Sequence, residues 1–567
     1  MPYCAPLSEF QFLLNHVVGL DMVAQTPLFA DATPELVTAI LAEAGRMCEE
    51  TLAPLNRAGD KHPARLENGV VRTSPGFAEG YRTIAQGGWV GMTASPDHGG
   101  MGLPMAVATA VNEMMGSACL ALQLNPLMTQ GQIEALEHHA SDALKAVYIP
   151  RLISGDWCGT MNLTEPQAGS DVGALRTRAD PLDDGSYAVT GQKIYITWAD
   201  NDFSENVCHL VLARLPGAPD GTRGISLFMV PKFIPDDQGK PGARNTLTVV
   251  SLEHKLGLHG SPTAVMQYDG AKGWLIGEAH KGMAAMFTMM NNARLGVGVQ
   301  GVGVAEAAYQ QALAYALGRK QGITPLSAKG PVSDHADVRR MLAVMKADVF
   351  SSRAIALSCA VAIDMARATG SPDWLARAAF LTPIAKAFGT DVGHDVAQMG
   401  IQVHGGMGFI EETGAAQFAR DVRVTSIYEG TNGIQAMDLV GRKMMDGGAA
   451  ARRLIGDMQE SAGLAQATFP GLADDVHAAA GALRAATDHL VAQAANDRFA
   501  GAAPYLRAFA RVLGAHFHLM AAVADPSRHT LAVVAIRRLL PEHAALLAQV
   551  RLGAGDLYAL TDTDLGA

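Results

Sequence analysis

The sequence predicts an α+β chain: an N-terminal helical domain, a central antiparallel β domain, a C-terminal helical bundle and a further helical domain. Three observations predict it. Apolar residues recur at three- and four-residue spacing in long Ala-rich runs toward both ends. Near the middle the pattern switches to two-residue alternation. Strand and helix textures occupy separate stretches and do not interleave, which excludes a βαβ series. The 567 residues exceed one ordinary core and suggest three or four domains.

Residues 1–34 are mixed, punctuated by Pro27 and Pro34. Residues 35–157 read as helical: TPELVTAILAEAGRMCEETLAPL follows a Thr33 cap and Pro34, and 94–104 (ASPDHGGMGLP) is a Gly/Pro loop. Residues 158–276 form the β domain. The Asp184-Gly185 turn signal precedes SYAVTGQKIYITWA, and VCHLVLARL, GISLFMVPK and later segments continue the alternation. Their short connections favour antiparallel pairing. Residues 277–445 hold three long helical runs that suit a bundle. Residues 446–567 are Ala-rich and helical, broken at Pro470, Pro504, Pro526 and Pro541.

Hydrophobic residues make up 49% and charged residues 17%, a globular balance. The formal charge of −11 argues against general affinity for nucleic acid or anionic membrane, and no span of about twenty uncharged apolar residues predicts a membrane helix. The six cysteines are scattered without a CxxC pair, so no metal site is expected and reduced thiols in the cytoplasm are the simple reading. MPYCAPLSEF lacks the layout of a secretory signal.

Four segments carry candidate chemistry. Gly296-Val-Gly298-Val-Gln-Gly301 matches a dinucleotide pattern, but helical residues precede it, so close helix packing is the preferred reading. LTEPQAGSDVGALRTRA (163–179) gathers Thr164, Gly169, Ser170 and Asp171, either a polar loop or a set of donors for an anion or a heterocycle rim. Tyr195 and Thr197 share one side of a strand and could flank a planar ring, although a buried core tyrosine is simpler. In IQVHGGMGFIEE (401–412), His404 reads as structural and the glycines as points of close backbone approach. In SIYEGTNGIQAMDLVGRK (426–443), Glu429 follows an apolar run. Burial would raise its pKa toward neutrality and make it a base, whereas the residues alone favour a solvated charge beside a Thr431 or Asn432 cap.

Together, LTEPQAGSD, GQKIYIT, the Arg319-containing GRK, QVHGGMGF and YEGTNGIQ resemble the acyl-CoA dehydrogenase family in order and spacing over about residues 35–445. The opening YCAPLSEFQFLL, ENVCHLVLARLPGAPDGTRGISLFMVPK, EHKLGLHGSPTAVM, AAMFTMMNNARLGVGVQGVG and the extra helices resemble a longer subgroup that includes 3-methylmercaptopropionyl-CoA dehydrogenases. The resemblance implies FAD between the β domain and a four-helix bundle. Met161, Leu163, Thr164, Gly169 and Ser170 would line the flavin, and Tyr195, Ile196 and Thr197 would flank its ring, Tyr195 standing where the family often has Trp. Arg319, Gln402, Gly405 and Gly406 would reach a neighbouring subunit's FAD, and Thr431 would contact the dinucleotide. Gly433 stands where a Gln is common, so a side-chain contact is lost there. Ser170, Asn291, Arg294, Gly430 and Arg442 would touch acyl-CoA or support the base.

In this context the base reading of Glu429 outweighs the cap reading. The resemblance implies α,β-desaturation of an acyl-CoA, with 3-methylthiopropanoyl-CoA or a short or medium chain as substrate. Electron-transfer flavoprotein is the expected acceptor, and a homodimer the expected assembly, with residues 446–567 covering a dimer–dimer surface. Two rivals stand beside this: an acyl-CoA oxidase, disfavoured by the absence of a terminal SKL, and a non-catalytic nucleic-acid binder, disfavoured by a tail that is not a basic block.

Overall fold

A computed structural model describes residues 3–566, with the side chains of Asn291 and Asn292 outside the description. The chain opens with α1 (Leu7–His16), α2 (Leu20–Ala24), α3 (Pro34–Met47) and α4 (Ala53–Lys61). A small hairpin, β1 (Arg65–Glu67) and β2 (Val70–Arg72), leads to α5 (Phe77–Gln86), α6 (Met105–His139) and α7 (Asp142–Ile153). Thr33 Oγ1 caps α3 by accepting the Leu36 N–H, which satisfies one of the orphan donors of a first helical turn. Residues 1–34, mixed in texture, thus include two short helices whose apolar faces (Phe10, Leu13, Leu14, Val23) join the main core.

The sheet comprises β3 (Trp157–Asn162), β4 (Arg178–Pro181), β5 (Tyr187–Thr197), β6 (Asn206–Arg214) and β7 (Ile225–Pro231). After the hairpin β8 (Phe233–Pro235) and β9 (Pro241–Arg244), it adds β10 (Leu247–Leu252) and β11 (Thr263–Ile276). Strands β11, β5, β4, β6 and β7 pair in a closed circuit. Val189, Ile196, Val211, Phe228, Met266 and Tyr268 fill its interior. Strand β6 is buried on both faces: Val211 and Ala213 point into the barrel, while Cys208, Leu210 and Leu212 join the main helical core. That two-sided burial is why VCHLVLARL, read as part of the alternation, carries apolar residues at neighbouring positions as well. One expectation needs correction. The sheet is mainly antiparallel, but β3 runs parallel to β6, and Arg178 of β4 pairs with Arg214 of β6 in the same sense. The link from β3 to β6 is no short crossover; β4 and β5 lie between them and return the chain to the starting edge.

The bundle contains α8 (Gly282–Gly318), α9 (Ala336–Thr369), α10 (Pro372–His404), α11 (Ala415–Val422) and α12 (Asn432–Gly441). The GxGxxG pattern lies inside α8, and its glycines serve packing. A Cβ on Gly298 would stand 2.5 Å from the Ala385 carbonyl oxygen, and one on Gly301 would stand 2.3 Å from that of Gly389. Gly389 and Gly393 face the same seam from α10. The backbones therefore meet where side chains would hold them apart. By length and composition α6 and α9 could cross a membrane, contrary to the reading from charge, but both are packed inside the protein.

The remaining helices are α13 (Ala449–Ala465), α14 (Pro470–Ala492), α15 (Ala495–Ala500), α16 (Ala502–Ala524), α17 (His529–Val534), α18 (Glu542–Val550) and α19 (Gly555–Ala559). Helix α16 docks on α9 and α10. Arg511 pairs there with buried Asp348 and with Glu542, and Phe509 meets Phe380 edge-on at 5.0 Å. Arg528 Nη1 lies 3.2 Å from Glu9 Oε1, so the first and last segments of the chain also touch.

Candidate active site

The loop 163–170 is fixed by β5. Glu165, 4% exposed, accepts hydrogen bonds from the backbone N–H of Arg176 (2.7 Å) and Thr177 (3.0 Å), from Thr177 Oγ1 (2.6 Å) and from Lys193 Nζ (2.8 Å). Burial alone would raise its pKa, but the Lys193 ammonium and these donors outweigh it and hold the carboxylate at about 2. Lys193 is fully buried, its pKa drawn down by burial to about 8, and it also donates to the Leu163 carbonyl at 3.0 Å. The Ile194 N–H donates to the Thr164 carbonyl at 3.0 Å. The LTEP and GQK segments are therefore one physical unit.

Immediately after Lys193 the strand bulges, with an extra residue on β5 opposite β11. The bulge carries Tyr195 at φ +60°, and its side chain is 61% exposed. The core-tyrosine reading does not hold: the barrel interior takes Ile196 instead, so Ile196 can face a ligand only with its backbone. Thr197 is half-buried. An exposed tyrosine on a strained bulge is a platform without a partner ring. Met161 at the end of β3 and Leu163 and Thr164 at the start of the loop are half-buried, while Gly169 and Ser170 are exposed.

Glu429 lies between α11 and α12 with φ +54°, and Gly430 follows at +86°. A non-glycine residue in this region costs about 1–2 kcal/mol, and such strain gathers at functional sites. The turn closes on itself: Thr431 caps α12 by accepting the Ile434 N–H, and Gln435 Nε2 donates to the Glu429 carbonyl at 3.4 Å. A Cβ on residue 430 would meet Gln435 Nε2 at 2.6 Å, which is why glycine stands there. The cap reading is thus right for Thr431, while Glu429 itself is not a solvated surface charge. Its surroundings raise its pKa to about 7 by desolvation, against the pull of the Arg294 and Lys386 cations. Arg294 is 7% exposed, and its Nε has no hydrogen-bond partner. Arg442 is largely exposed and paired with Asp438. Asn291 belongs to α8, but its side chain lies outside the described residues.

Five residues here escape sequence reasoning: Lys386, Asp391, Tyr428, Gln300 and Gln123. Lys386 is buried and donates to Asn432 Oδ1 at 2.9 Å, while Asn432 Nδ2 donates to Asp391 Oδ1 at 2.7 Å. Tyr428 OH donates to Gln300 Oε1 at 2.5 Å, and Gln300 Nε2 to Gln123 Oε1 at 3.4 Å. Gln123 Nε2 is buried without a partner. This row joins the two halves of the site, because Trp198 Nε1, next to Thr197, donates to the Ala121 carbonyl at 3.0 Å. One segment of α6, just past its break at Cys119, therefore anchors both the Tyr195 strand and the Glu429 turn. A buried Lys or Gln seen in isolation gives no signal of such a role.

Arg319, Gln402, Gly405 and Gly406 are exposed and lie elsewhere. Tyr315 and His404 stack at 4.4 Å and hold the ends of α8 and α10 together, and His404 Nδ1 meets the Gly400 carbonyl at 2.7 Å, a structural histidine as expected. Arg319 follows Arg294 by 25 residues of α8, about 37 Å along the axis at about 1.5 Å per residue. Arg319 therefore does not meet the Glu429 turn of its own chain. Among the described residues no group of three His, Cys, Asp or Glu side chains could hold a metal.

A closed barrel packed on a helical bundle, with exposed Tyr195 on one side and the Glu429 turn on the other, defines an α+β fold with one candidate site. The comparisons make this specific: the chain belongs to the acyl-CoA dehydrogenase family, whose members use FAD. The family's N-terminal, middle and C-terminal domain profiles match residues 35–156, 160–271 and 280–445. The chain is 46% identical to the 3-methylmercaptopropionyl-CoA dehydrogenase of Ruegeria pomeroyi over 89% of its own length and 88% of the relative's. Its fold matches Caenorhabditis elegans ACDH-11, solved in complex with C11-CoA, with a TM-score of 0.80 at 21% identity over 95% and 91% of the two chains. A Bacillus anthracis acyl-CoA dehydrogenase complexed with FAD matches with a TM-score of 0.73 at 19% identity over 98% and 94%.

Proposed function

We propose that the chain desaturates a short acyl-CoA, with 3-methylthiopropanoyl-CoA as the favoured substrate and Glu429 as the base. The observation that carries this is the Glu429 carboxyl, held on a left-handed turn beside the buried Arg294 and Lys386 cations, where burial raises its pKa. When bound, FAD supplies the acceptor for the hydride that leaves Cβ. Glu429 takes the Cα proton, and the developing charge on the thioester oxygen is met by the Glu429 backbone N–H. Tyr195 and Thr197 flank the ring, the 163–170 loop lines its rim, and Thr431 lies toward the dinucleotide. Arg294, Gly430, Arg442, Ser170 and Asn291 serve the acyl-CoA. The substrate choice is supported by the Ruegeria relative.

Anaerobic titration with acyl-CoA thioesters of graded length tests the substrate. Flavin absorbance is expected to bleach fastest with butanoyl- and 3-methylthiopropanoyl-CoA. Bleaching by long chains alone would overturn the reading. The rate should also report the base. Only ionised Glu429 accepts a proton, so kcat/KM should rise with pH through about 7, and below about pH 6 fall about tenfold per unit. Lys386→Met removes a cation that favours the carboxylate and should move this limb to higher pH; a limb that stays in place would remove Lys386 from the role.

Electron-transfer flavoprotein is the acceptor in this reading, the compartment is the cytoplasm, and the assembly is a homodimer in which Arg319 and Gln402–Gly406 reach the second FAD. The homodimer is supported by the apolar surface at that end of the bundle, where Phe409 is 88% exposed beside Met407. Residues 446–567 form the additional domain of this arrangement and cover the outer face of α9 and α10.

A further inference from the structure

We propose that Arg507, on the added C-terminal helices, is a positioning residue for the reaction: through Asp391, Asn432 and Lys386 it sets the charge that faces Glu429. This rests on the reading of Glu429 as the base and extends it to residues 446–567, which lie beyond the family profiles. The parts meet at a cleft of about 290 Å³ between α10, the first turn of α12, α16 and α18, whose walls include Asp391, Asn432 and Arg507. Asn432 opens α12 three residues after Glu429 and stands between two charges of α10. Its Oδ1 accepts from Lys386 Nζ at 2.9 Å, and its Nδ2 donates to Asp391 Oδ1 at 2.7 Å. An ammonium only donates and a carboxylate only accepts. One orientation of the amide therefore satisfies both, and it requires Asp391 to be ionised. A protonated Asp391 would donate to the amide oxygen, and the amide, so turned, would direct its N–H groups at the Lys386 ammonium.

The bundle by itself works against that charge. Burial raises the Asp391 pKa, and Asp395, four residues on along α10, adds a second carboxylate. His394 adjoins them, but burial and the Arg423 guanidinium hold its imidazole below the usual range, so it is mostly neutral at pH 7. Within the bundle the Asn432 hydrogen bond opposes the rise. Arg507 of α16 supplies the lasting cation. It favours the ionised Asp391, pairs with Asp395 at 3.2 Å, and is itself fixed by Glu542 of α18 at 2.6 Å. On the far side of Asn432, Lys386 is fully buried, and burial draws its pKa down to about 8. Glu429 and Asp391 support its charge, and Arg294 of α8 opposes it. Arg294 has Asp438 as well as Glu429 for counter-charge. Lys386 thus depends on Asp391 to remain an ammonium near neutrality, and Glu429 depends on that ammonium for part of its acidity.

The test is the pH profile of kcat/KM for flavin reduction by butanoyl-CoA, measured on the full-length holoenzyme. Without the Arg507 charge, Asp391 takes its proton at a higher pH, Lys386 loses support, and the Glu429 pKa rises. A base whose pKa rises works only from a higher pH, so the acid limb moves up. Arg507→Met is expected to move it by at least about half a pH unit, a fall of about threefold at pH 6, with FAD retained. Arg507→Lys keeps the charge and should restore the wild-type profile. Asp391→Asn removes the carboxylate and should move the limb in the same sense. The double variant should move it no further than the larger single change, because both act along one path. A limb unmoved in Arg507→Met with FAD bound, or single shifts that simply add in the double variant, overturns the proposal and leaves Glu429 as the base. If Arg507→Met does not fold, Asp391→Asn decides, and an unmoved limb there overturns the proposal. A wild-type profile with no limb near neutrality sinks the base reading as well.

Discussion

Glu429→Gln is expected to slow flavin reduction by an acyl-CoA about 10²–10⁴-fold, the range a positioned general base contributes. The change is nearly isosteric, and glutamine can occupy the same left-handed turn, so bound FAD and acyl-CoA should be retained. What it removes is the acceptor for the α-proton. Two cations act on residue 429, and in the variant Arg294 keeps Asp438 and Lys386 keeps Asp391 as counter-charge, which favours a retained fold. Stopped-flow mixing under anaerobic conditions reads the result directly. An oxidised spectrum that persists on mixing fits the assignment. Bleaching at the wild-type rate would show that another group takes the proton, and the strained turn would need a different explanation.

Why Glu429 was legible and Lys386 was not has a physical answer. The residues of the turn advertise only its conformation, since Gly430 permits positive φ and Thr431 caps the next helix; alone they favour a solvated charge, and the base reading of Glu429 comes from the motif resemblance. Lys386 lies mid-helix, 43 residues earlier, and reaches the same turn only because the glycine seam brings α8 and α10 together and α12 folds back on α10. The same contrast runs through the barrel. Alternation located β5, but the bulge that exposes Tyr195 and buries Ile196 leaves no trace in the alternation. The parallel pairing of β3 with β6 was hidden for a related reason: pairing between strands distant in sequence is decided by tertiary packing, not by connection length alone. Long-range coupling, such as the α6 segment that anchors both halves of the site, is the level at which local pattern gives out.

The second large effect concerns the loop and not the base. Lys193→Met keeps an unbranched side chain one atom shorter and fills most of the buried space, but leaves the Glu165 carboxylate without its cation. Removing one partner of a buried pair costs about 3–5 kcal/mol, because the remaining charge is stranded. Four donors remain to Glu165, one from Arg176, two from Thr177 and one from Gln167, so the barrel should still form. The expected failure is local. Leu163 loses the Lys193 hydrogen bond to its carbonyl, the 163–170 loop loosens, and the purified protein should carry little FAD. Hydrogen exchange gives a readout independent of activity: the amides of Arg176 and Thr177, protected by Glu165 in the wild type, should exchange faster. Adding Glu165→Gln to Lys193→Met removes the stranded charge and should recover part of the protection, since the penalty lies in the charge and not in the lost contact alone. A Lys193→Met protein that keeps its full complement of FAD and unchanged exchange at 176 and 177 would show that the loop is held by its backbone bonds, and that the buried pair is incidental to the site.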